Sequence, residues 1–145
     1  MKKGVFFLTL IISVMLVVSC SSMAGGVVND DTFRAIYDKY RSGLILDGAQ
    51  KYIVKNGDTL SNIARSFYGD GFYYPVILLA SSDVVVDEDK IQVGMELTIP
   101  DLQVNLADPV ARADIKGVTV DSAGIQDTRK RPEVAKGLRD LANTL

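Results

Sequence analysis

The stretch that most constrains the fold lies at residues 51–100, where two short alternating segments enclose two helical ones. Tyr52 and Val54 alternate with Lys51, Ile53 and Lys55, which predicts a strand with one buried face. The Asn-Gly-Asp-Thr sequence that follows predicts a tight turn, because glycine tolerates a positive φ. The first helix has one apolar stripe at helical spacing, made of Leu60, Ile63, Ala64 and Phe67.

The chemistry of the turn predicts how the first helix begins and where the second follows. Asp58 is the expected N-cap, since its carboxylate can accept the free N–H groups of the first turn. A second helix is expected from Phe72 or Tyr73, after a glycine-rich break, with Pro75 tolerated in its first turn. Its inward face is predicted to consist of Tyr74, Ile77, Leu78 and Ser81.

The second alternating segment, Glu96–Ile99, ends at Pro100. Its apolar residues Leu97 and Ile99 can lie beside Tyr52 and Val54 when the two segments pair. The order is therefore strand, helix, helix, strand. This pattern predicts an α+β fold in which a two-stranded antiparallel sheet packs with two helices.

Two motifs within this stretch resemble the lysin motif (LysM) family. They are the opening YIVKNGDTLSNIA and the closing IQVGMELTIP, which stand in the family's order. The resemblance covers residues 50–101 and implies a βααβ domain that binds glycans containing N-acetylglucosamine. It also implies a groove between the loop after the first strand and the loop before the second. Carried over position by position, its first wall is Gly57, Asp58, Thr59 and Leu60, and its second is Asp87, Glu88, Asp89, Ile91 and Gln92.

The second wall departs from the family pattern. Ser81 stands where the family usually has Asn, and Gln92 stands at a position that is commonly Tyr. Three adjacent acids at 87–89 also make this rim negative. Binding through main-chain groups is compatible with these changes, and a domain that binds protein instead of sugar is the alternative. Gly57 and Asp58 can also be explained by turn geometry without any ligand.

The N-terminal segment predicts export. Lys2 and Lys3 precede an apolar stretch of fourteen residues at 5–18, which describes a secretory signal. At 1.5 Å per residue this stretch is shorter than the roughly 30 Å hydrocarbon layer, so a transmembrane helix is the weaker interpretation. Residues 1–19 are therefore interpreted as a lipoprotein signal peptide.

Cys20 is the predicted lipidation site. The sequence Val-Val-Ser-Cys that ends at Cys20 resembles a bacterial lipobox, in which the cysteine is acylated and becomes the first mature residue. Ser21 resembles the residue that outer-membrane lipoproteins carry at this position. We therefore expect a lipid-anchored protein of the cell envelope, on the periplasmic face of the outer membrane, with residues 20–30 as a flexible tether.

Composition excludes several classes of activity. The sequence has no His and one Cys, which excludes Ser-His-Asp and Cys-His catalysis and His/Cys zinc sites. Without residues 1–19, 14 basic residues remain against 18 acidic ones, a net charge of −4, which disfavours nucleic-acid binding. The acids at 83–89 lack the ligand pattern of an EF-hand loop. We therefore expect no enzyme, no metal and no cofactor.

The segment before the domain, 31–49, is predicted to carry a helix over Asp31–Leu44. Asp30 or Asp31 is its expected cap, and Gly43 marks its end. A membrane-surface helix is a possible interpretation, but its polar face lacks the strong positive charge that such helices carry. We favour a helix that packs on the domain through Phe33, Ile36, Tyr37, Tyr40 and Leu44.

The segment after the domain, 102–145, is predicted to form a helical hairpin. Asp101–Ala107 is interpreted as an irregular connector, Pro109 and Pro132 open the two helices, and the basic triplet at 129–131 is interpreted as their solvated polar turn. The first helix is assigned the face Val110, Ala113, Gly117, Val118 and Ile125, and the second the face Val134, Leu138, Leu141 and Leu145.

Four apolar residues in the domain have no explanation within a solitary LysM domain: Val76, Leu79, Val84 and Val86. We predict that the flanking helices cover them, because exposed they would form an unusual apolar patch.

Two hypotheses for function remain. The first is a non-catalytic, lipid-anchored protein that binds peptidoglycan glycan strands and links an envelope membrane to the cell wall. The second is an envelope adaptor whose LysM fold binds another envelope protein.

Overall fold

The computed structural model describes residues 28–145 of the chain. The predicted signal peptide at 1–19, Cys20 and most of the predicted tether at 20–30 lie outside the described residues. Within them, no helix has the length and apolar composition that a bilayer span requires. The elements are α1 (Asp30–Tyr40), β1 (Gln50–Ile53), α2 (Leu60–Tyr68), α3 (Tyr74–Ala80), β2 (Glu96–Ile99), α4 (Leu102–Ala107), α5 (Pro109–Thr128) and α6 (Pro132–Thr144).

The sheet has the predicted form. β1 and β2 pair antiparallel, with Tyr52 opposite Leu97 and Gln50 opposite Ile99. Leu97 and Ile99 are buried against the helices, and Val54 extends the pairing by donating its N–H to the Met95 carbonyl at 2.9 Å. Together with α2 and α3, this sheet confirms the predicted α+β fold.

Helix α3 is buried on every side, which explains the apolar residues that a solitary domain would leave in water. All seven residues of α3 are buried, and Val76 and Leu79 are both 0% exposed. Helix α5 packs across α3 and covers the side that faces away from the sheet. The prediction that flanking helices cover Val76 and Leu79 is therefore confirmed.

The same prediction is wrong for Val84, which is 44% exposed. After α3 the chain makes a tight turn, in which the N–H groups of Val84 and Val85 both donate to the Ser81 carbonyl. This turn directs Val85 inward, where it is 2% exposed, and Val84 outward. Val86 is partly buried, and its carbonyl accepts a hydrogen bond from the Tyr37 hydroxyl at 2.6 Å.

Helix α1 packs mainly on α5, and not on the LysM domain as predicted, with Phe33 and Tyr37 buried. Its contact with the domain includes the hydrogen bond from the Tyr37 hydroxyl to Val86. Its N-cap is Asn29 and not Asp30 or Asp31. Asn29 Oδ1 accepts the Thr32 N–H at 3.0 Å, and both acids lie inside the first turn, where they face the positive end of the helix dipole. The helix ends at Tyr40, and a 3-10 turn continues to Gly43.

The connector predicted to be irregular is the short helix α4. Asp101 caps it by accepting the N–H groups of Gln103 and Val104 at 2.9 and 3.1 Å. Asn105 is fully buried and bonds both backbone groups of Ile45, at 2.8 and 2.9 Å. These bonds fix the segment between α1 and β1, which explains why a polar residue is buried there.

Helices α5 and α6 form the predicted hairpin, but the predicted face of α5 is partly wrong. Val110 is 63% exposed and Ala113 is exposed, whereas Val118 and Ile125 are buried as expected. Helix α5 contacts α1, α3, α4 and α6 at once, so its buried surface is too broad to appear as one stripe. On α6, Leu138 and Leu141 are buried as predicted. A single core cluster joins the sheet, α1, α3, α5 and α6.

Candidate functional site

The candidate site is a groove of about 340 Å³ at the N-terminal end of α2. Three segments surround it: the start of α2, the loop at 81–95 between α3 and β2, and the turn between α5 and α6. The groove is lined by Thr59, Leu60, Ser61, Tyr74, Glu88, Asp89, Ile91, Gln126, Arg131 and Val134. It lies between the two walls that the LysM resemblance implies, and the α5–α6 hairpin adds a third.

The first wall forms around a glycine turn. Gly57 has φ 87°, as expected, so the chain can reverse before α2. Thr59 then has an extended backbone, and its hydroxyl accepts the Asn62 N–H at 3.2 Å. Thr59 and Leu60 line the groove, whereas Gly57 and Asp58 shape the turn without lining it.

The prediction that Asp58 caps α2 is wrong, because the helix begins one residue later and Thr59 is its cap. The Asp58 carboxylate turns back across the loop. It accepts the Lys55 N–H and the Tyr52 hydroxyl, each at 2.8 Å. The hydrogen bond from the Lys55 N–H is the main cause that lowers the pKa of this carboxyl group, and the bond from the Tyr52 hydroxyl lowers it further. Asp58 therefore stabilises the turn that carries the first wall.

The second wall is the acidic part of the 81–95 loop. Asp87 is 6% exposed, and its Oδ1 accepts the Asp89 N–H at 3.0 Å, which closes a 3-10 turn over Glu88–Lys90. Glu88, Asp89 and Ile91 line the groove. Asp87 lies behind them, and Gln92 is exposed and does not line the groove.

The third wall was not predicted from the sequence, and it corrects the interpretation of the basic triplet. Arg129 is not in a solvated turn. Its side chain is 15% exposed, and its guanidinium lies 2.6 Å from Asp87, 2.6 Å from Glu88 and 3.0 Å from Asp89. Arg131 bonds Asp89 at 2.7 Å, whereas Lys130 is exposed.

Gln126 and Tyr74 complete the contact between the hairpin and the groove. The Gln126 side-chain amide donates to Glu88 and to the Tyr74 hydroxyl. Its Oε1 has no hydrogen-bond partner, and among buried side-chain oxygens of residues 28–145 it is the single such case. Burial, and then the Glu88 charge, raise the pKa of Tyr74, so this phenol stays neutral at physiological pH.

The three acids of the second wall have the spacing of a cation site. One oxygen from each lies within 4.8 Å of the others. In this chain two guanidinium groups already bind these carboxylates, and Arg131 together with Arg129 lowers the pKa of Asp89. The cluster therefore supports an ion-paired wall and gives no support to a metal site.

The groove has the chemistry of a binding site. Its two acids, Glu88 and Asp89, are adjacent on one wall and paired with arginines, so they cannot flank a glycosidic bond as the two carboxylates of a glycosidase do. Leu60, Ile91 and Val134 supply apolar surface, and Tyr74 supplies a neutral hydroxyl. Apolar walls with a few polar groups are typical of ligand-binding clefts.

Comparison with known proteins supports the assignment of the domain. Residues 52–100 match the family model of the LysM domain. The potassium binding protein Kbp of Escherichia coli is 33% identical over 75 residues, which are 52% of this chain and 50% of Kbp. The esterases MT1326 and Rv1288 of Mycobacterium tuberculosis are 43% identical over 56 residues, which are 39% of this chain and 12% of each esterase.

The chain spans half the length of Kbp and a much smaller part of the two esterases. No solved structure matches it. The family match begins at Tyr52 in β1 and ends at Pro100 after β2, so it includes both strands, α2 and α3. Residues 52–100 of this chain are therefore a LysM domain.

Proposed function

We propose that this protein binds the N-acetylglucosamine-containing glycan of peptidoglycan in the groove, without catalysis. The observation that supports the proposal is the groove itself: Thr59, Leu60, Glu88, Asp89 and Ile91 belong to the two walls that the LysM resemblance implies, and they line an open cleft. A LysM domain by itself indicates binding of peptidoglycan or a related glycan.

The chemistry of an acetamido sugar suits this groove. The acetamido group offers a methyl, an N–H and a C=O, so it needs apolar contact, one acceptor and one donor. Leu60, Ile91 and Val134 can contact the methyl group. The neutral Tyr74 hydroxyl and the backbone of the second wall can supply the polar partners.

Lipid anchoring is the second part of the proposal, and it is supported by the sequence. We propose that the chain is cleaved before Cys20, that lipid on Cys20 holds it at the periplasmic face of the outer membrane, and that the glycan groove links this membrane to the cell wall. The charged and apolar residues before Cys20 support export.

The names of the relatives suggest two other activities, which we do not transfer to this chain. Kbp is named for potassium, but the acidic cluster here is paired with arginines. The esterase matches extend over 12% of those proteins, and the sequence of this chain has no His to activate a serine.

An envelope adaptor is the second candidate function, and one surface favours it. A groove of about 320 Å³ lies between α1 and α5, with the apolar residues Val28, Ile36, Val120 and Ile125 in its lining. Such a surface can accept a side chain of another envelope protein. This candidate predicts that a protein partner, and not sugar, is the main ligand.

Co-sedimentation with purified peptidoglycan sacculi tests the proposal. We compare residues 20–145 with Cys20→Ser, produced without the signal segment and without lipid, with the same chain carrying Ile91→Glu or Val93→Glu. Ile91 lines the groove, whereas Val93, two residues away, is 66% exposed and outside it. We expect the Cys20→Ser chain and its Val93→Glu variant to bind, and Ile91→Glu to weaken binding at least about tenfold, which corresponds to 1.4 kcal/mol.

An N-acetylglucosamine oligosaccharide should compete with the sacculi for the Cys20→Ser chain. Processing in cells adds the test of the anchor: the wild-type chain should be cleaved before Cys20 and carry fatty acid, whereas Cys20→Ser should remain an unprocessed precursor without lipid. Absence of sacculus binding would contradict the glycan proposal and favour the adaptor. A Cys20→Ser chain that still matured normally and carried fatty acid would contradict lipidation at Cys20.

A further inference from the structure

The second wall of the groove is held by the α5–α6 hairpin. Arg129 bonds three consecutive acids of the 81–95 loop, Asp87, Glu88 and Asp89. Arg131 bonds the last of these acids with both of its terminal nitrogens, at 3.0 and 2.7 Å. The hairpin therefore supplies the counter-charges of a groove wall that belongs to the LysM domain.

The acidic part of the loop brings three like charges together within one short turn. Between α3 and β2 it contains one 3-10 turn, closed by two bonds to Asp87: its carboxylate accepts the Asp89 N–H, and its carbonyl accepts the Lys90 N–H. Three adjacent carboxylates repel one another. Two of them are also nearly buried, since the side chains of Asp87 and Glu88 are 8% and 13% exposed. Such carboxylates stay charged and in place only while cations accompany them.

The fork of Arg129 fits this task in a way that a lysine does not. Its Nη2 bonds Asp87 at the back of the wall, and its Nη1 bonds Glu88 and Asp89 on the side that lines the groove. One planar group thus fixes the relative positions of the back and the front of the loop. The same guanidinium lies 5.1 Å from the ring of Phe33, so α1 packs behind it.

We propose, on the basis of the proposed glycan binding, that Arg129 is a positioning residue of the glycan site and that the α5–α6 hairpin is part of that site. Arg129 does not line the groove. It acts through Asp87, Glu88 and Asp89, which it holds at the positions that shape the wall. Glycan affinity in this protein therefore depends on residues that lie outside the LysM domain.

The experiment measures binding of the mature chain, residues 20–145 with Cys20→Ser, to sacculi and to an N-acetylglucosamine tetrasaccharide. The variants are Arg129→Gln, Arg129→Lys and Arg131→Gln. The matched control is Arg139→Gln, which removes the same charge from the same hairpin but breaks a pair with Asp127 on α5. Binding is measured well below the unfolding temperature of each variant.

We expect Arg129→Gln to lower affinity about tenfold or more and Arg129→Lys to restore part of it, whereas Arg139→Gln binds as the parent does. Hydrogen exchange without ligand gives a second readout. The amides of Asp89 and Lys90 should exchange faster in Arg129→Gln, while those of α2 stay unchanged. Arg131 pairs with Asp89, which is more exposed than Asp87 and Glu88, so Arg131→Gln should lower affinity and speed exchange less than Arg129→Gln does. This second variant keeps the test valid if Arg129→Gln folds poorly.

Each outcome is decisive. Parental affinity in both Arg129→Gln and Arg131→Gln would overturn the positioning role while leaving glycan binding intact. Unchanged exchange at Asp89 and Lys90 would overturn it as well, because the wall would then hold its shape without the hairpin. Failure of the parent chain to bind sacculi or tetrasaccharide would overturn the proposed function, and the positioning role with it.

Discussion

At the scale of single residues, the turn between β1 and α2 shows how one carboxylate can stabilise a site without entering it. Asp58 accepts hydrogen bonds from the Lys55 N–H and the Tyr52 hydroxyl, so it joins the strand to the turn. This turn places Thr59 and Leu60 in the first wall. Asp58 was expected to bind ligand, but it instead stabilises the turn whose next residues line the groove.

The pH dependence of stability tests this role. The folded-state pKa of Asp58 lies below its ordinary value of 3.8, so its contribution to stability is complete above that pH and is lost as the pH falls through the folded-state pKa. We expect Asp58→Asn to be less stable than the parent at pH 7 and the difference to shrink as the pH falls below about 3.8. Urea denaturation at several pH values measures it. A difference that does not change with pH would contradict the assigned hydrogen bonds.

At the scale of elements, two helical glycines permit close packing of the flanking helices. A Cβ on Gly117 of α5 would lie 2.3 Å from the Tyr40 ring, and one on Gly137 of α6 would lie 2.1 Å from the Phe72 ring. The aromatic residues on α1 and before α3 therefore lie directly against helix backbone. Gly117 and Gly137 lower the propensity for helix in the sequence, and they are positions at which α5 and α6 touch their neighbours.

A pair of glycine substitutions on α5 tests this packing. Gly117→Ala should destabilise the protein by about 1–3 kcal/mol, because the ring of Tyr40 must move. Gly124→Ala is the matched control: a Cβ there meets nothing within 4 Å, so it should stabilise the helix by about 0.5–1 kcal/mol. Urea denaturation compares the two. Equal effects would mean that α1 is not in close contact with α5.

More of the strands and helices than of the candidate site could be predicted from the sequence. The two strands, the helices other than α4, and the positive φ of Gly57 follow from local patterns, and they were predicted correctly. The short helix α4 was predicted to be an irregular connector. The pairing of Arg129 with Asp87 joins positions 42 apart, and no local pattern indicates which acid a basic turn will meet. The opposite charges of the acidic triplet at 87–89 and the basic triplet at 129–131 were the one available signal of this pairing. Such triplets are also typical of solvated loops. The cap at Thr59 was missed because Asp58 and Thr59 are both good caps and their order alone does not decide between them.

At the scale of the whole molecule, the LysM domain and its flanks share one hydrophobic core. Helix α3 lies at its centre, with the sheet on one side and α5 on the other. Leu78 and Leu79 are adjacent in sequence, and both are buried. Both can be buried because the sheet and α5 cover different sides of α3. The core therefore continues beyond Pro100, where the match to the family model ends.

A charged residue at the α3–α5 contact tests the shared core. Leu79→Asp would bury an unpaired carboxylate, so we expect it to lower the free energy of unfolding of the full chain by more than about 4 kcal/mol. Val84→Asp is the matched control, since Val84 is 44% exposed, and its effect should stay within about 0.5 kcal/mol. A full chain that tolerated Leu79→Asp while losing an envelope partner would contradict the docking of α5 and favour the adaptor function.

The burial of α3 on every side also has a consequence for the order in which the protein is made. Synthesis proceeds from the N-terminus, so residues 52–100 leave the ribosome before α5, which spans Pro109–Thr128. During that interval Val76 and Leu79 have no covering helix, and the nascent chain carries a water-exposed apolar surface of the kind that chaperones recognise. We therefore expect the LysM domain of this chain to complete its fold only after its last helices have been released.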